Sequence, residues 1–383
     1  MQIEVPELSI IALIGKKERE KLTFAKKYFN QSEIVNLEAL EDNASDRLKE
    51  AKLTVINVTD LQENTYEVIT KLGKKYHCMP VAIVFNTHGL IDEGVTLEEF
   101  VAILEKKGFK KIFLLSNKEE IKTAEVVRVK LANNKKAVHG PFDLIGDIHG
   151  CYDELCELLE KLGYVVDKEQ AIVHSPQNRK LVFLGDLVDR GPKSPEVLRM
   201  VMSMVQAEKA YCVLGNHDGK LLRKLKGSKV QVKHGLETTM EQLEHESKQF
   251  IEEVKQFLEG LVSHYVFDDG KLVAVHAGLR EKLQGRESKK VRDLAMFGET
   301  TGEVDEFGLP VRVKWSETYK GSAFVVYGHT PQARAKIINH TINIDTGCVF
   351  GGRLTAFRYP EKEIVDVVAK KVYYEPARPF LTY

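Results

Sequence analysis

The sequence predicts an α/β protein in two parts, a smaller parallel unit followed by a larger one. Three observations carry this. Apolar runs alternate with helical patterns over the first 130 residues. A second series of short apolar runs follows, each ending in Gly, Asp, Asn or His. Between them the segment LANNKKAVHGPF, residues 131–142, interrupts the apolar pattern with polar residues and a Gly–Pro pair. These signals place a domain over 1–137 and a second over 138–383, the latter with a helical insertion near 220–266 and a tail from about 360.

In the first part IIALIG reads as a buried strand running into a helix at EKLTFAKKYF. LTVINV, PVAIVF and KKIFLLSN read as further buried strands. The intervening TLEEFVAILEKKGF sets Leu97, Phe100, Ile103 and Leu104 on one helical face. In the second part FDLIGD, LVFLGD, YCVLGN, LVAVHAG, FVVYGH and INIDTG each deliver a polar tip from a strand. Ligands in α/β folds collect at such strand ends. The charged run MEQLEHESKQFIEEVKQFLEGLV has apolar residues at helical spacing and reads as an amphipathic cap.

Composition narrows the function classes. The 383 residues carry 56 basic and 56 acidic side chains, which argues against a broad basic coat for nucleic acid. Hydrophobic residues make up 43% and charged ones 29%, a globular composition. A chain of this size buries roughly 70–75% of its unfolded surface and folds without disulfides. No run approaches a membrane span, and MQIEVPELSI lacks the basic and apolar regions of a signal peptide, so a cytoplasmic protein is expected. Five cysteines fit neither a paired framework nor a CxxC metal site.

The chemistry lies in the tips. Asp147 and His149 follow the first strand; Asp186, Asp189 and Arg190 follow the second; Asn216 and His217 follow the third. His276 and His329 end two more. Oxygen donors and imidazoles without thiolates suit Mn, Fe or Co ions, and six candidate ligands exceed one tetrahedral site, which points to two adjacent ions. Arg190 has the fork to grip a phosphate. His217 is placed to protonate a leaving oxygen, oriented by a carboxylate such as Asp189. Any one Asp or His at a strand end is more often a turn residue. The other eight histidines are assigned to surface or ordinary core.

Taken in order, GDIHG, GDLVDRG, GNHD, HAG and GHTP resemble the phosphoprotein-phosphatase branch of the binuclear metallophosphoesterases over about residues 141–359. The resemblance implies a calcineurin-like α/β/β/α sandwich. It implies one metal held by Asp147, His149 and Asp186, and a second by Asp186, Asn216, His276 and His329, with Asp186 bridging. It also implies Arg190 on the phosphate and Asp189–His217 as an acid dyad, in agreement with the roles read from the residues. GNHD departs from the GNHE of the protein phosphatases and points toward nucleotide-directed relatives.

The runs FGETTGEVDEFGLPVRVKW, INIDTGCVFGGRLTAFRYPE and VYYEPARPF resemble the central module of bacterial polynucleotide kinase–phosphatases that repair RNA ends. That family implies removal of 2′-, 3′- or 2′,3′-cyclic phosphates from RNA ends or nucleotides, with Mn²⁺ the favoured ion and Fe, Co or Ni as others. It makes Asp345 a candidate substrate residue, although a turn Asp before Gly347 is an equal reading. It further implies an N-terminal P-loop kinase. Here Glu20 replaces the loop glycine and Leu22 the Mg²⁺-ligating hydroxyl. Thr23 is out of register and only Lys21 remains. Glu38 is the nearest substitute for the catalytic Asp, and NTHGLIDEGVTLEEF has no arginine for a basic lid. The expectation is a degenerate kinase domain without nucleotide binding. The family usually continues into a ligase, so healing without sealing is expected, with a ligase or methyltransferase partner in trans.

Two other reactions share these motifs: hydrolysis of dinucleoside tetraphosphates, and of phosphoserine or phosphothreonine. A non-catalytic scaffold is a third reading, opposed by the intact metal set. Cys348 and Arg353 lie too close for a C-x₅-R phosphatase loop, so Cys348 is expected to be a small buried residue. The five cationic residues of KLLRKLKGSK, 220–229, read first as a solvated helix face, with contact to RNA phosphates as the functional reading.

Overall fold

A computed structural model describes residues 1–36, 43–58, 63–87, 96–167 and 172–377. The chain divides into two compact units, Met1–Leu131 with Arg286–Val291, and Ala132–Gly285 with Arg292–Tyr383. Among the described residues no helix is long and apolar enough to cross a membrane.

The first unit holds a five-stranded parallel sheet in the order Ile34–Asn36, Thr54–Val58, Ser9–Ile14, Met79–Phe85, Lys111–Leu115. Every residue of the central strand Ser9–Ile14 is buried, as a strand covered by helices on both faces requires. Ile10, Ala12 and Ile14 pack with Ile69 and Leu72 on one face, and Ile11 and Leu13 with Phe24 and Ala25 on the other. Gln2–Pro6 pairs in parallel with Glu125–Val129 beside this sheet. The helix Glu18–Tyr28 begins with Glu18 and Glu20 in its first turn. Lys21 is 1% exposed and its amine donates to the Val58 carbonyl, while Thr87 Oγ1 donates to Glu20 at 2.7 Å. Burial pushes the Lys21 amine down to about 8, against the pull of Glu18. Glu38 and residues 88–95 of the expected lid lie outside the described residues.

The second unit is an α/β/β/α sandwich. In one sheet Ala210–Cys212, Lys180–Phe183 and Phe142–Ile145 run parallel. The long strand Arg353–Tyr359 then pairs antiparallel with Phe142–Ile145, with Asp345–Thr346 and with Glu363–Val368. The other sheet runs Lys336–Ile338, Thr341–Asn343, Phe324–Tyr327, Leu272–Val275, His264–Phe267, Asn134–Lys135. Strand alternation decides which side chain goes where. Val182 and Leu184 face the inter-sheet core with Phe267, Leu272, Phe324 and Phe357. Leu181 and Phe183 point the other way, into the helical layer of Leu155, Leu158, Leu198 and Val201. The charged run of 240–262 contributes to the helices Leu236–Glu244 and Lys248–Gly260, which bury Leu243, Phe250, Val254 and Leu258. All five cysteines are free and buried, Cys348 at 1% exposure.

Candidate active site

Each tip leaves its strand through a tight turn. A Cβ on Gly146 would overlap the Ile344 carbonyl, one on Gly215 the amide and Oδ1 of Asp186, and one on Gly328 the Oδ1 of Asp147. These glycines are therefore required by close approach. Five polar residues of the loops have left-handed backbone: His149 at φ 47°, Asp186 at 49°, Asp189 at 76°, Arg190 at 72° and His329 at 73°. Non-glycine residues seldom adopt this region, and such strain gathers where a site imposes side-chain direction.

The loops converge on one cleft of about 450 Å³ lined by His149, Asp186, Arg190, Asn216, His217, His329 and Asp345. Asp147 is 4% exposed and accepts the amide N–H of His329 at 3.1 Å. Asp186 Oδ1 accepts the His217 amide at 2.9 Å, at the start of the helix Asn216–Leu225. The helix dipole favours an anion there. His149 donates Nδ1–H to the Val188 carbonyl at 2.8 Å, and His276 donates Nδ1–H to the Leu184 carbonyl at 2.9 Å. A carbonyl can only accept, so each neutral ring keeps its lone pair on Nε2, turned toward the cleft in His149 and toward Asn216, His329 and Asp186 in His276, the tautomer that fixes imidazole ligands in metal sites.

The donor set fits metal ions. His276 Nε2 lies 2.9 Å from Asn216 Oδ1, 3.1 Å from His329 Nδ1 and 3.4 Å from Asp186 Oδ2, and burial holds this histidine down to about 4. A neutral His329 can donate Nδ1–H to the His276 lone pair, and the Asn216 and Asp186 oxygens that remain beside it are acceptors that suit a cation. His329 Nε2 is buried without a partner. Four buried carboxylates share the region. Burial raises Asp186, Asp218 and Asp345 to about 7 each, and burial with repulsion from Asp345 and Asp186 raises Asp147 well above the carboxylate range. At the tip loops the donor atoms of His149, Asp186 and His217 lie within 4.8 Å of one another, as do those of Asp186, His276 and His329. Asp186 belongs to both. The first group contains His217 where the sequence reading placed Asp147.

His217 is held differently from the other histidines. Its Nδ1 donates to Asp189 Oδ2 at 2.6 Å, which turns Nε2 toward the cleft. Asp189, fully buried, is raised by that burial to about 6. Arg190 Nη1 reaches His149 Nε2 at 2.9 Å.

Several residues around the cleft were not singled out from sequence. Thr239, on the helix Leu236–Glu244, donates Oγ1–H to Asp189 Oδ1 at 2.8 Å and accepts the Asp189 amide at 2.9 Å. Asp218 accepts the Leu187 amide at 2.9 Å and the Gly215 amide at 3.1 Å, tying two tip loops together. His234, assigned from sequence to surface or ordinary core, lines the cleft, as do Arg312, Phe350 and Tyr374. Within the basic run, Lys226 pairs with Glu259 and Lys220 donates to the Lys233 carbonyl.

The calcineurin-like phosphoesterase family model matches residues 140–333. The chain is similar to bis(5′-nucleosyl)-tetraphosphatase PrpE [asymmetrical] of Halalkalibacterium halodurans, at 49% identity over 60% of this chain and 94% of that protein. The proteins of the same name from Geobacillus sp. and Bacillus subtilis are 48% and 46% identical, over 60% and 61% of this chain and 95% and 97% of their own. With the strand-end histidines and carboxylates gathered in one cleft, these matches show that the chain belongs to the calcineurin-like phosphoesterases, hydrolases of phosphoric esters built around a binuclear divalent metal centre.

Proposed function

We propose that this chain hydrolyses dinucleoside 5′,5′-tetraphosphates asymmetrically, to a nucleoside triphosphate and a nucleoside monophosphate. The observation that carries this is 49% identity along 94% of a relative named for that activity. RNA-end healing rests on the resemblance of three runs, FGETTGEVDEFGLPVRVKW, INIDTGCVFGGRLTAFRYPE and VYYEPARPF, and of the P-loop-like first part, and the relatives favour the tetraphosphatase alternative over it. We also propose that the first unit is a degenerate kinase domain. This reading is supported by Lys21, whose amine is turned onto the chain's own Val58 carbonyl.

The geometry supports the following roles. Asp147, His149 and Asp186 would hold one ion and Asp186, Asn216, His276 and His329 the other; oxygen and imidazole donors suit Mn²⁺ or a similar ion. Bound there, the pair lowers the pKa of water and offsets charge developing on phosphoryl oxygens. Arg190, 2.9 Å from His149, grips a phosphate oxygen beside the centre. His217 hands a proton to the leaving oxygen, and Asp189 keeps it in the tautomer that aims Nε2 inward. Asp345, buried in the cleft wall and held by the Gly347 amide at 3.0 Å, faces substrate as an orienting group.

The test compares turnover with Mn²⁺ of diadenosine tetraphosphate, an RNA ending in a 2′,3′-cyclic phosphate and a phosphothreonine peptide. Chromatography separates AMP plus ATP from two ADP. Preference for the dinucleotide with AMP and ATP as products is expected. Preference for the RNA would restore end healing, and two ADP would refute asymmetric cleavage.

A further inference from the structure

The cleft has an aromatic wall beside its phosphate-binding arginine. The guanidinium carbon of Arg190 lies 5.1 Å from the ring centre of Phe350 and 5.8 Å from that of Tyr374, and the two rings stand 6.5 Å apart at 60°. Both rings line the cleft and neither is fully buried. Phe350 sits in the Gly-rich loop after Asp345, and Tyr374 in the segment that follows the last strand.

That segment is held firmly. The amides of Tyr373 and Tyr374 donate to the Val349 carbonyl at 3.0 and 3.1 Å. The Tyr373 hydroxyl and the Lys370 amide both donate to Glu154 Oε1, at 2.7 and 2.9 Å. Val372 pairs with Phe350 as a β-bridge. Glu375, Pro376 and Ala377 continue the wall, and Leu309 and Pro310 add apolar surface to the cleft. A cation between two aromatic faces stiffens the arginine. Arg190 lies over one face of each ring, but stiffening alone does not require the half-buried rings to line the cleft, and aromatic surface beside a phosphate grip is what a nucleobase stacks on.

We infer that Phe350 and Tyr374 form the platform for one nucleobase, and that it belongs to the nucleotide whose α-phosphorus is attacked. This deepens the tetraphosphatase reading and rests on it for the second part. The Arg190 guanidinium touches both His149 and the rings, so the base and the reacting phosphorus lie on either side of one guanidinium group. The water oxygen bonds to the α-phosphorus and the bond from that phosphorus to the bridging oxygen breaks. The electron pair leaves with the nucleoside triphosphate, which takes the proton from His217. The remaining phosphates run on through the part of the cleft lined by His234 and Arg312.

Two experiments test this. Hydrolysis of diadenosine tetraphosphate in ¹⁸O-water with Mn²⁺ should place the label in AMP; label in ATP would overturn the register. AMP and ribose 5-phosphate are then compared as inhibitors of p-nitrophenyl phosphate hydrolysis. AMP should inhibit at least about fivefold more tightly, the low end of base–aromatic stacking. Phe350→Leu and Tyr374→Leu, which keep apolar volume and remove the π face, should shrink that ratio toward one and raise KM for the dinucleotide more than kcat falls. Equal inhibition by the two compounds in the wild type, or an unchanged ratio in both variants, overturns the platform. The inhibitor comparison needs no tetraphosphatase activity, so a wild type that binds AMP preferentially but spares the dinucleotide would defeat the proposed function while keeping the platform.

Discussion

Thr239→Val isolates the positioning of the proton donor. The substitution conserves shape and removes a hydroxyl that donates to Asp189 Oδ1 at 2.8 Å and accepts the Asp189 amide at 2.9 Å. Burial raises Asp189 to about 6 while this hydroxyl pulls it down. A hydrogen bond to a charged group contributes about 1.5–3 kcal/mol, and one pKa unit is about 1.4 kcal/mol, so its loss shifts Asp189 up by about 1–2 units. The carboxyl would then stay protonated to higher pH than in the wild type. A neutral Asp189 no longer holds the protonated His217. Because activity falls as pH drops through the Asp189 pKa, the acidic limb of the pH–rate profile should move upward by the same 1–2 units. The assay is kcat/KM against pH for an alkyl phosphomonoester, whose leaving alkoxide needs a proton, with p-nitrophenyl phosphate as reference. Superimposable wild-type and variant profiles on the alkyl ester would refute the role given to Thr239 and weaken that of the dyad.

His217→Ala should reduce turnover of an alkyl phosphomonoester far more than that of p-nitrophenyl phosphate, whose phenolate leaves without help; equal losses would remove His217 from the acid role. Asp186→Asn should lower bound divalent ion, measured by elemental analysis, below two per chain and abolish turnover on every phosphoester, because Asp186 belongs to both donor groups; substantial residual turnover would break the two-ion assignment. Gly328→Ala drives a Cβ into Asp147 Oδ1 and should weaken metal affinity by roughly 10–100-fold, read by chelator competition; unaltered affinity would show that Asp147 is not a ligand. Lys21 is depressed in the folded chain to about 8 from 10.5, so the unfolded chain binds more protons between those values and wild-type stability should rise with pH across that window. Denaturant titration at pH 8 and 10 should show that gain in the wild type and not in Lys21→Met; parallel changes would mean the amine is not buried as described.

The sequence alone determined the order of the tip loops and the donors within them. Each pairs a buried apolar strand with polar residues immediately after it, and Gly146, Gly185, Gly215 and Gly328 mark where the backbone must turn beside another loop. Such signals are local, written within ten residues, and therefore readable. The parallel strands of the first unit were legible for the same reason, since a strand buried on both faces is a continuous apolar run.

Tertiary structure decided the rest. Thr239 lies 50 residues from Asp189 and looks like any threonine in a charged helix; only the packing of that helix beside the GDLVDRG loop brings its hydroxyl to the carboxylate. Asp218 is where GNHD departs from GNHE, and the fold shows it tying Leu187 to Gly215. His234, Phe350 and Tyr374 come to one cleft from three separate segments; the runs around Phe350 and Tyr374 carry a resemblance, but nothing in them says that these two rings meet. The donors of the site follow from local chemistry, whereas what orients them and what walls the cleft are long-range contacts. A single sequence states no distances between segments, so those contacts exist only once the two sheets have packed and the C-terminal segment has closed over Glu154 and Val349.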